Sequence, residues 1–445
     1  MRLTNEAEIA LQTLTANGFK AYLIGGVVRD FVMNEFFKDI DITTDATPKQ
    51  VEKCFEKFNV IETGIKHGTV TVVINKEQIE ITTFRKDGTY SDMRRPDNVT
   101  FTKSLKEDLS RRDFTMNAIA YNGKRFFDYF NGRDDISKRI IRCVGDAKKR
   151  FNEDALRILR ALRFSSVLGF SIEEKTRNAI FELKENLKCL SIERIASELD
   201  NLIFGEFASK VIEEYFDVIC VVLPELKQMY GFEQFSKYHK FDVLKHTLVA
   251  LDFCKHNNKS IVYDKDLCWV VLLHDIGKIN TFVMDENGCG HFYGHQLKSK
   301  EIAEKVLLRL KFETKRIKRI LTLIEFHDEK ISCEKRKIKK FIYKLKSIDV
   351  IKDLIKIKRA DKAGQSELGQ AESVSYDEIE RVIREIEKEN LTFSLKDLNI
   401  NGNDLIHLGF SGEKIGEVLN KLLNMVLNEQ VPNEKNKLLK LAEKM

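Results

Sequence analysis

The feature that most constrains the fold is the stretch Ala21–Thr47, AYLIGGVVRDFVMNEFFKDIDITTDAT. Ala21-Tyr22-Leu23-Ile24 is a short apolar run that stops at Gly25-Gly26, which predicts a buried strand ending in a tight turn. Val28, Phe31 and Val32 then recur at helical spacing within Val27–Asn34. A strand, a glycine turn and a helix N-terminus present free N–H groups and the positive end of a dipole to an anion. Arg29, in the first turn, is within reach of the same anion. Lys38–Thr43 alternates as Asp39, Ile40, Asp41, Ile42. On a strand the isoleucines face the core and both aspartates face the other way. Like charges on one strand face repel, and a chain carries that cost most readily with a cation between them. Paired carboxylates holding two Mg²⁺ ions are a known solution for in-line phosphoryl transfer. Taken singly, the two pieces read as a plain turn and a solvated strand face; their adjacency points to nucleotidyl transfer.

With 445 residues the chain has room for two or more domains. No apolar run approaches membrane-span length and the N-terminus carries no apolar signal segment, so a soluble protein is expected. Eight cysteines without a C-x-x-C pair fit reduced thiols in a cytoplasm. The net charge of +6 permits nucleic-acid binding through local patches without demanding it. Four prolines and abundant Lys, Glu, Leu and Ile predict helices beyond the first third.

Asn5–Asn17 reads as an amphipathic helix, and Thr47-Pro48 opens another, with Thr47 as N-cap. Val70–Ile74 and Gln78–Thr83 read as a hairpin of a mixed sheet flanked by helices. Glu80 alternates outward with Thr82; a third acidic metal neighbour and an ordinary exposed strand residue are both open readings. Phe84–Phe101 is polar without helical or strand period, which suits either a lid over phosphates or a surface loop. In Glu107–Ala120, Arg111-Arg112-Asp113 heads an apolar helical stretch. An arginine and an aspartate side by side match a phosphate oxygen and a ribose hydroxyl. Phe126–Gly132 reads as a strand and turn.

Within Glu153–Phe164, Asp154, Arg157, Arg160 and Arg163 recur every three residues and are expected to form one slanted stripe on a helix. A solvated charged face is one reading. The other is base recognition. Cytosine and adenine present an exocyclic amine beside an unprotonated ring nitrogen, which a carboxylate and a guanidinium match. Uracil and guanine present a carbonyl beside an N–H and clash with the same pair.

Gly25-Gly26-x-Val28-Arg29-Asp30, Asp39-x-Asp41, Arg111-Arg112-Asp113-Phe114-Thr115-Met116-Asn117-Ala118 and Glu153-Asp154-x-x-Arg157 together resemble the class II tRNA nucleotidyltransferases. That family comprises the CCA-adding enzymes and the bacterial poly(A) polymerases related to them. The resemblance implies an α+β protein: a head of the polymerase-β nucleotidyltransferase type, then helical neck, body and tail segments that hold the tRNA acceptor arm. It implies Asp39 and Asp41 as catalytic Mg²⁺ ligands, with Gly26, Arg29 and Arg112 on the triphosphate and Asp113 on the ribose. Asp154 and Arg157 then serve as the amino-acid template for the bases of CTP and ATP, with Arg160 and Arg163 nearby. Residues 84–101 resemble the family's flexible loop, and Arg139–Arg150 supplies a basic approach to the neck.

Seven of the nine histidines lie between His239 and His327. His246 falls in an amphipathic helix, and His274-Asp275-Ile276-Gly277 follows the apolar run Leu267–Leu273. His295, His327 and Asp361 come later. Imidazoles and carboxylates on separate helices can converge on one or two divalent metals inside a bundle. The segment resembles the HD superfamily of metal-dependent phosphohydrolases in its HDIG form. By that resemblance His246, His274, Asp275 and Asp361 hold a transition metal or Mg²⁺, and His295 and His327 are candidates for a second ion. Phosphate-ester hydrolysis on RNA ends and a retained fold without turnover are both open. Leu391–Met445 resembles the family's C-terminal element, a turn followed by a helix starting near Gly412; the helix terminus reads either as an RNA phosphate site or as a simple cap.

The expected organisation is a nucleotidyltransferase head (1–145), a neck with the base-recognition helix (146–235), an HD domain (236–375) and a helical tail (376–445). The expected function is CCA addition to tRNA 3′ ends. A poly(A) polymerase of the same family is the first alternative, and an HD phosphohydrolase with an RNA-binding head the second.

Overall fold

The computed structural model describes residues 3–37, 39–64, 68–88, 90, 98–256, 261–371, 375–388, 395–428 and 430–445. The chain divides into two compact units, Met1–Pro224 and Glu225–Met445.

The first unit is built on a seven-stranded mixed sheet of order β3-β4-β5-β2-β1-β8-β9. Its strands are β1 (Ala21–Ile24), β2 (Ile40–Thr44), β3 (Asn59–Gly64), β4 (Thr69–Ile74), β5 (Glu77–Thr83), β8 (Ile119–Tyr121) and β9 (Phe126–Asp128). All neighbours are antiparallel except β2 and β5, whose parallel register sets Asp41 opposite Glu80. The alternation read from the sequence holds on β2: Ile40 and Ile42 are buried in the core while Asp41 faces the other way. Helix α1 (Asn5–Ala16) buries Ala7, Ala10, Leu11 and Leu14. Helix α2 (Gly26–Val32) starts directly at the glycine turn, and α3 (Pro48–Cys54) carries the expected Pro at its start, closed by a Thr47–Gln50 capping box.

Three local readings need correction. Residues 84–101 are not free of strand structure, because their ends pair as β6 (Arg85–Asp87) and β7 (Val99–Phe101). Three-residue strands are too short to show a period. Residues 89 and 91–97 of that expected loop lie outside the described residues. Next, Arg111-Arg112-Asp113 does not head a helix. It follows the short helix α4 (Leu105–Ser110) and leads into one 3₁₀ turn, Thr115–Asn117, and then β8. The Asp113 carboxylate accepts from the Phe114 N–H at 2.8 Å and the Asn117 amide at 3.2 Å, which competes with helix formation. Finally, Asp154 is not on the same helix as the three arginines. After α5 (Gly132–Ser137), helix α6 (Ala147–Glu153) ends and α7 (Leu156–Leu168) begins, with Asp154 extended between them at φ −146° and ψ 104°. Its side chain accepts from the Leu156 N–H at 3.1 Å, a local turn just ahead of α7 that breaks the stripe. The remainder of this unit is mostly helical, including α8 (Glu174–Leu183) and α9 (Ile192–Ile203), with one short parallel pair, Ile140–Ile141 with Ser171–Ile172.

The second unit is largely helical. Helices at Val243–His256, Lys265–Leu273, His295–Arg309, Thr314–Phe326 and Ile348–Ala363 pack around a core that includes the fully buried Trp269. A small antiparallel hairpin, Phe282–Met284 with Gly290–Phe292, precedes the third of these. The C-terminal helices pack on Leu405, Leu422, Leu423 and Leu438, and the helix Glu413–Leu427 is capped by Gly412 as expected. Among the described residues no helix is long and apolar enough to cross a membrane.

Gly25 sits at φ 73° and ψ −138°, a conformation that side chains resist. Gly25→Ala is expected to destabilise the first unit by about 1–3 kcal/mol. A lowered denaturant midpoint for the sheet-containing unit checks this; an unchanged midpoint would show that the turn relaxes without strain.

Candidate functional site

In the first unit the glycine turn, β2 and the Arg111–Asp113 turn meet. A Cβ on Gly25 would lie 3.3 Å from Asp41 Oδ2 and 3.5 Å from the Arg112 guanidinium. A side chain here would crowd Asp41, and the positive φ favours glycine as well. Arg112 Nε is buried without a hydrogen-bond partner in the protein, which leaves that donor for an anion. Burial pushes the Asp41 carboxyl up; Arg112 pulls it back, and Glu80 and Asp39 push it further, to about 6. Asp39 is exposed at the start of the strand. Burial first, and the two neighbouring carboxylates after it, therefore disfavour the ionised form, a cost that a bound cation would relieve.

A chain of charged and amide groups runs away from this point. Arg29 bonds Asp30 at 2.8 Å through Nε and donates to Asn117 Oδ1 at 3.2 Å. Asn117 holds Asp113, and Asp113 accepts from Arg160 at 2.7 and 2.9 Å. Burial pushes the Asp113 carboxyl up, but Arg160 outweighs it and holds the group at about 2. It is thus an acceptor only, at any physiological pH. Arg163 pairs with Glu198 of α9 at 2.6 Å. Arg29, Arg160 and Arg163 all lie against the Phe164 ring, 4.2 to 5.4 Å from its centroid.

Asp154 and Arg157 are held by different partners. Asp154 Oδ2 accepts from Arg194 of α9 at 2.8 Å. Arg157 is buried and donates to Glu153 at 2.9 Å and to the Arg150 and Arg111 carbonyls at 3.1 and 3.0 Å. The Arg111 carbonyl ties this helix to the Arg111–Asp113 turn. Arg111 itself is paired with Asp108 at 2.7 Å, so it is Arg112 that is left for a ligand.

In the second unit the six residues named from the sequence come together in two groups that share Asp275. His246, His274, Asp275 and Asp361 have ligand atoms within 4.8 Å of one another, as do Asp275, His295 and His327. Asp275 Oδ2 faces His274 at 3.2 Å and His246 at 3.4 Å, while Oδ1 faces His295 at 3.4 Å and His327 at 3.8 Å. One carboxylate thus points an oxygen at each group, as a bridge between two ions requires. The Nδ1 atoms of His274, His295 and His327 bond the backbone carbonyls of Val271, Phe292 and Ile324 at 2.7 to 2.9 Å. That fixes the protons on Nδ1 and aims Nε2 inward as a ligand. Gly364 is needed here too: a Cβ would fall 2.6 Å from His246 Nδ1. Burial lowers the pKa of His274, but Asp275 and Asp361 reverse this and carry it up to about 10. A proton stands where a metal would place its charge. Lys278, 2.7 Å from Asp275 Oδ2, supplies further compensation.

Residues 21–142 match the poly A polymerase head domain, 169–229 an RNA- and SrmB-binding segment of polymerase A, and 292–442 the second domain of tRNA nucleotidyltransferases. The CCA-adding enzyme of Staphylococcus saprophyticus is 34% identical over 443 residues, 98% of each chain. That of Staphylococcus haemolyticus is 36% identical over 446 residues, covering 98% of this chain and 97% of its own. The chain belongs to the CCA-adding enzyme family. The solved CCA-adding enzyme of Bacillus stearothermophilus in complex with CTP superposes with a TM-score of 0.75 at 28% identity, covering 99% of this chain and 96% of that one.

For a CCA-adding enzyme the structure adds residues that motif reading passed over. Asn117 and Phe164 lie inside quoted segments but carry no charge pattern. Arg194 and Glu198 sit on α9, far along the chain from the carboxylate and guanidinium they hold. An arginine and a glutamate one helical turn apart in SIERIASELDNLI were the available signal.

Nucleotidyltransfer in this family implies a divalent metal, and a metal held through Asp41 would require that carboxyl to be ionised. Cation affinity of the head is therefore expected to fall as pH drops through about 6, and the half-point should move lower as the cation is raised. Metal titration followed calorimetrically at several pH values checks this; an affinity flat between pH 5 and 8 would contradict it.

Proposed function

We propose that the chain adds C, C and A to tRNA 3′ ends from CTP and ATP with release of pyrophosphate. End-to-end similarity to CCA-adding enzymes carries this reading, and the convergence of Gly25, Asp41 and Arg112 supplies it with a site. We assign residues 1–145 as the head, 146–235 as the neck, 236–375 as an HD domain and 376–445 as the tail, working in the cytoplasm.

Asp39 and Asp41 are assigned as the holders of Mg²⁺, which when bound polarises phosphoryl oxygens and makes a hydroxyl a better nucleophile. The chain's own residues do the rest. N–H groups at Gly26, together with Arg29 and Arg112, hold the triphosphate, and Arg112 brings an unpartnered donor to it. Asp113, kept ionised by Arg160, accepts from the ribose hydroxyl. Asp154 accepts the exocyclic amine shared by cytosine and adenine, and Arg157 donates to the ring nitrogen. Arg194 keeps the Asp154 carboxylate oriented, while Arg160 and Arg163 line the adjoining ring of Phe164. The tRNA acceptor arm supplies the attacking 3′ hydroxyl.

Asp154→Ala is expected to let UTP and GTP be incorporated while total rate falls less than selectivity. Each lost base contact is worth roughly 1–3 kcal/mol of discrimination. Single-turnover addition with each nucleotide in turn measures it; continued exclusion of UTP and GTP would remove Asp154 from base selection.

The histidine cluster supports a second reading within the same chain. We assign it as an HD-type hydrolytic centre for phosphate esters at RNA ends, holding one or two divalent ions, of Mg²⁺ or a transition metal. His274→Ala is expected to abolish metal-dependent opening of a 2′,3′-cyclic phosphate RNA end and leave nucleotide addition intact. Phosphate-ester turnover equal to the parent in His274→Ala would remove the assignment.

A further inference from the structure

The hairpin before His295 carries a third group of possible metal ligands that neither reading above uses. Asp285, Cys289 and His291 place a carboxylate oxygen, a thiol sulfur and an imidazole nitrogen within 4.8 Å of one another. All three are half-buried, while Glu286, Asn287 and Gly288 between them are exposed. The loop is shaped by Asp285 itself. Its Oδ1 accepts from the Asn287 and Cys289 N–H groups, both at 2.9 Å, and its own N–H donates to the Cys289 carbonyl at 2.9 Å. Oδ2 is thereby aimed away from the loop, to meet His291 Nε2 at 2.8 Å. The His291 ring is fixed in turn by Tyr293, stacked at 5.3 Å with an interplanar angle of 6°. Cys289 is a free thiol.

We propose that Asp285, Cys289 and His291 form a separate, solvent-facing site for a thiophilic divalent cation such as Zn²⁺. The donor set is the argument: thiolate, imidazole and carboxylate are the three ligand types that zinc takes. Tetrahedral zinc separates its donors by roughly 3.3–3.7 Å. The three atoms reach that spacing by small side-chain rotations, with the Asp285–His291 pair opening to admit the ion. Binding replaces the Asp285–His291 hydrogen bond by metal bonds to Oδ2 and Nε2, with the imidazole proton carried on Nδ1 instead, and forms a third bond to sulfur with release of the Cys289 proton. Water completes the fourth position, because the outer side of the loop is exposed. The two groups around Asp275 contain no sulfur, so the sites differ in the metal they favour. The hairpin runs straight into His295, whose Nδ1 bonds the Phe292 carbonyl. A metal closing the hairpin would brace the segment that carries Phe292.

Cobalt(II) reports the difference, because a thiolate ligand gives it a near-ultraviolet charge-transfer band that nitrogen and oxygen ligands do not. The full chain, stripped with chelator, is expected to show this band on Co²⁺ addition. It should persist in His274→Ala and disappear in Cys289→Ser. Zn²⁺ should also protect Cys289 of the unaltered protein from alkylation, read by peptide mass mapping, which covers the case of a misfolded variant. Absence of the band at saturating Co²⁺, its survival in Cys289→Ser, or alkylation of Cys289 at the same rate with and without Zn²⁺ would overturn the proposal.

Discussion

A half-buried carboxylate with two like charges near it is the constraint on which the first unit depends. Holding Asp41 near a pKa of 6 rather than its ordinary 3.8 represents roughly 3 kcal/mol of unfavourable interaction with the ionised form. The surrounding fold is arranged to bear it. Parallel pairing of β2 with β5 adds the Glu80 charge to that cost, while the Gly25 turn approaches without a side chain and Arg112 supplies compensating positive charge. Remove the glycine and the turn collides with the charge it is meant to serve. The strain is local, at the point where a cation and a triphosphate would relieve it.

From that point the residues assigned above to phosphate, ribose and base are linked by ion pairs and hydrogen bonds rather than by apolar packing alone. Arg29, Asn117, Asp113 and Arg160 form one continuous set of hydrogen bonds, and Glu198 anchors Arg163 beside it. Arg157 reaches back to the Arg111 carbonyl, so the start of α7 is tied to the turn that carries Arg112. Buried charges of this kind contribute geometry more than stability: each fixes its neighbour's orientation, and each is costly to leave without a partner. The second unit uses the same device in another form. There, backbone carbonyls set three imidazole tautomers, and a single aspartate faces two groups of ligands.

Much of this was legible in the sequence because it depended on local rules. The strand, glycine turn and helix at Ala21–Val32, the alternation around Asp41, the Thr47-Pro48 helix start and the Val70–Thr83 hairpin are each set by neighbours a few residues apart. The histidine positions were legible because a rare residue type clustered. What escaped was non-local or too short. The three-residue strands β6 to β8 have no period to read, and they exist because other strands pair with them. The helix break at Asp154 was hidden by a repeat of three that suits a helix, whereas the aspartate bonds the backbone in a local turn just ahead of one. Arg194 and Glu198 acquire meaning only once the fold brings α9 against α7.

The central claim is that this chain builds CCA from CTP and ATP at one head site. Its most direct test is stepwise extension of a tRNA that lacks the terminal triplet, resolved to single nucleotides. Two additions are expected with CTP alone, none with ATP alone on that substrate, and three and no more with both. A long ATP-only tail with no use of CTP would contradict it and identify a poly(A) polymerase instead.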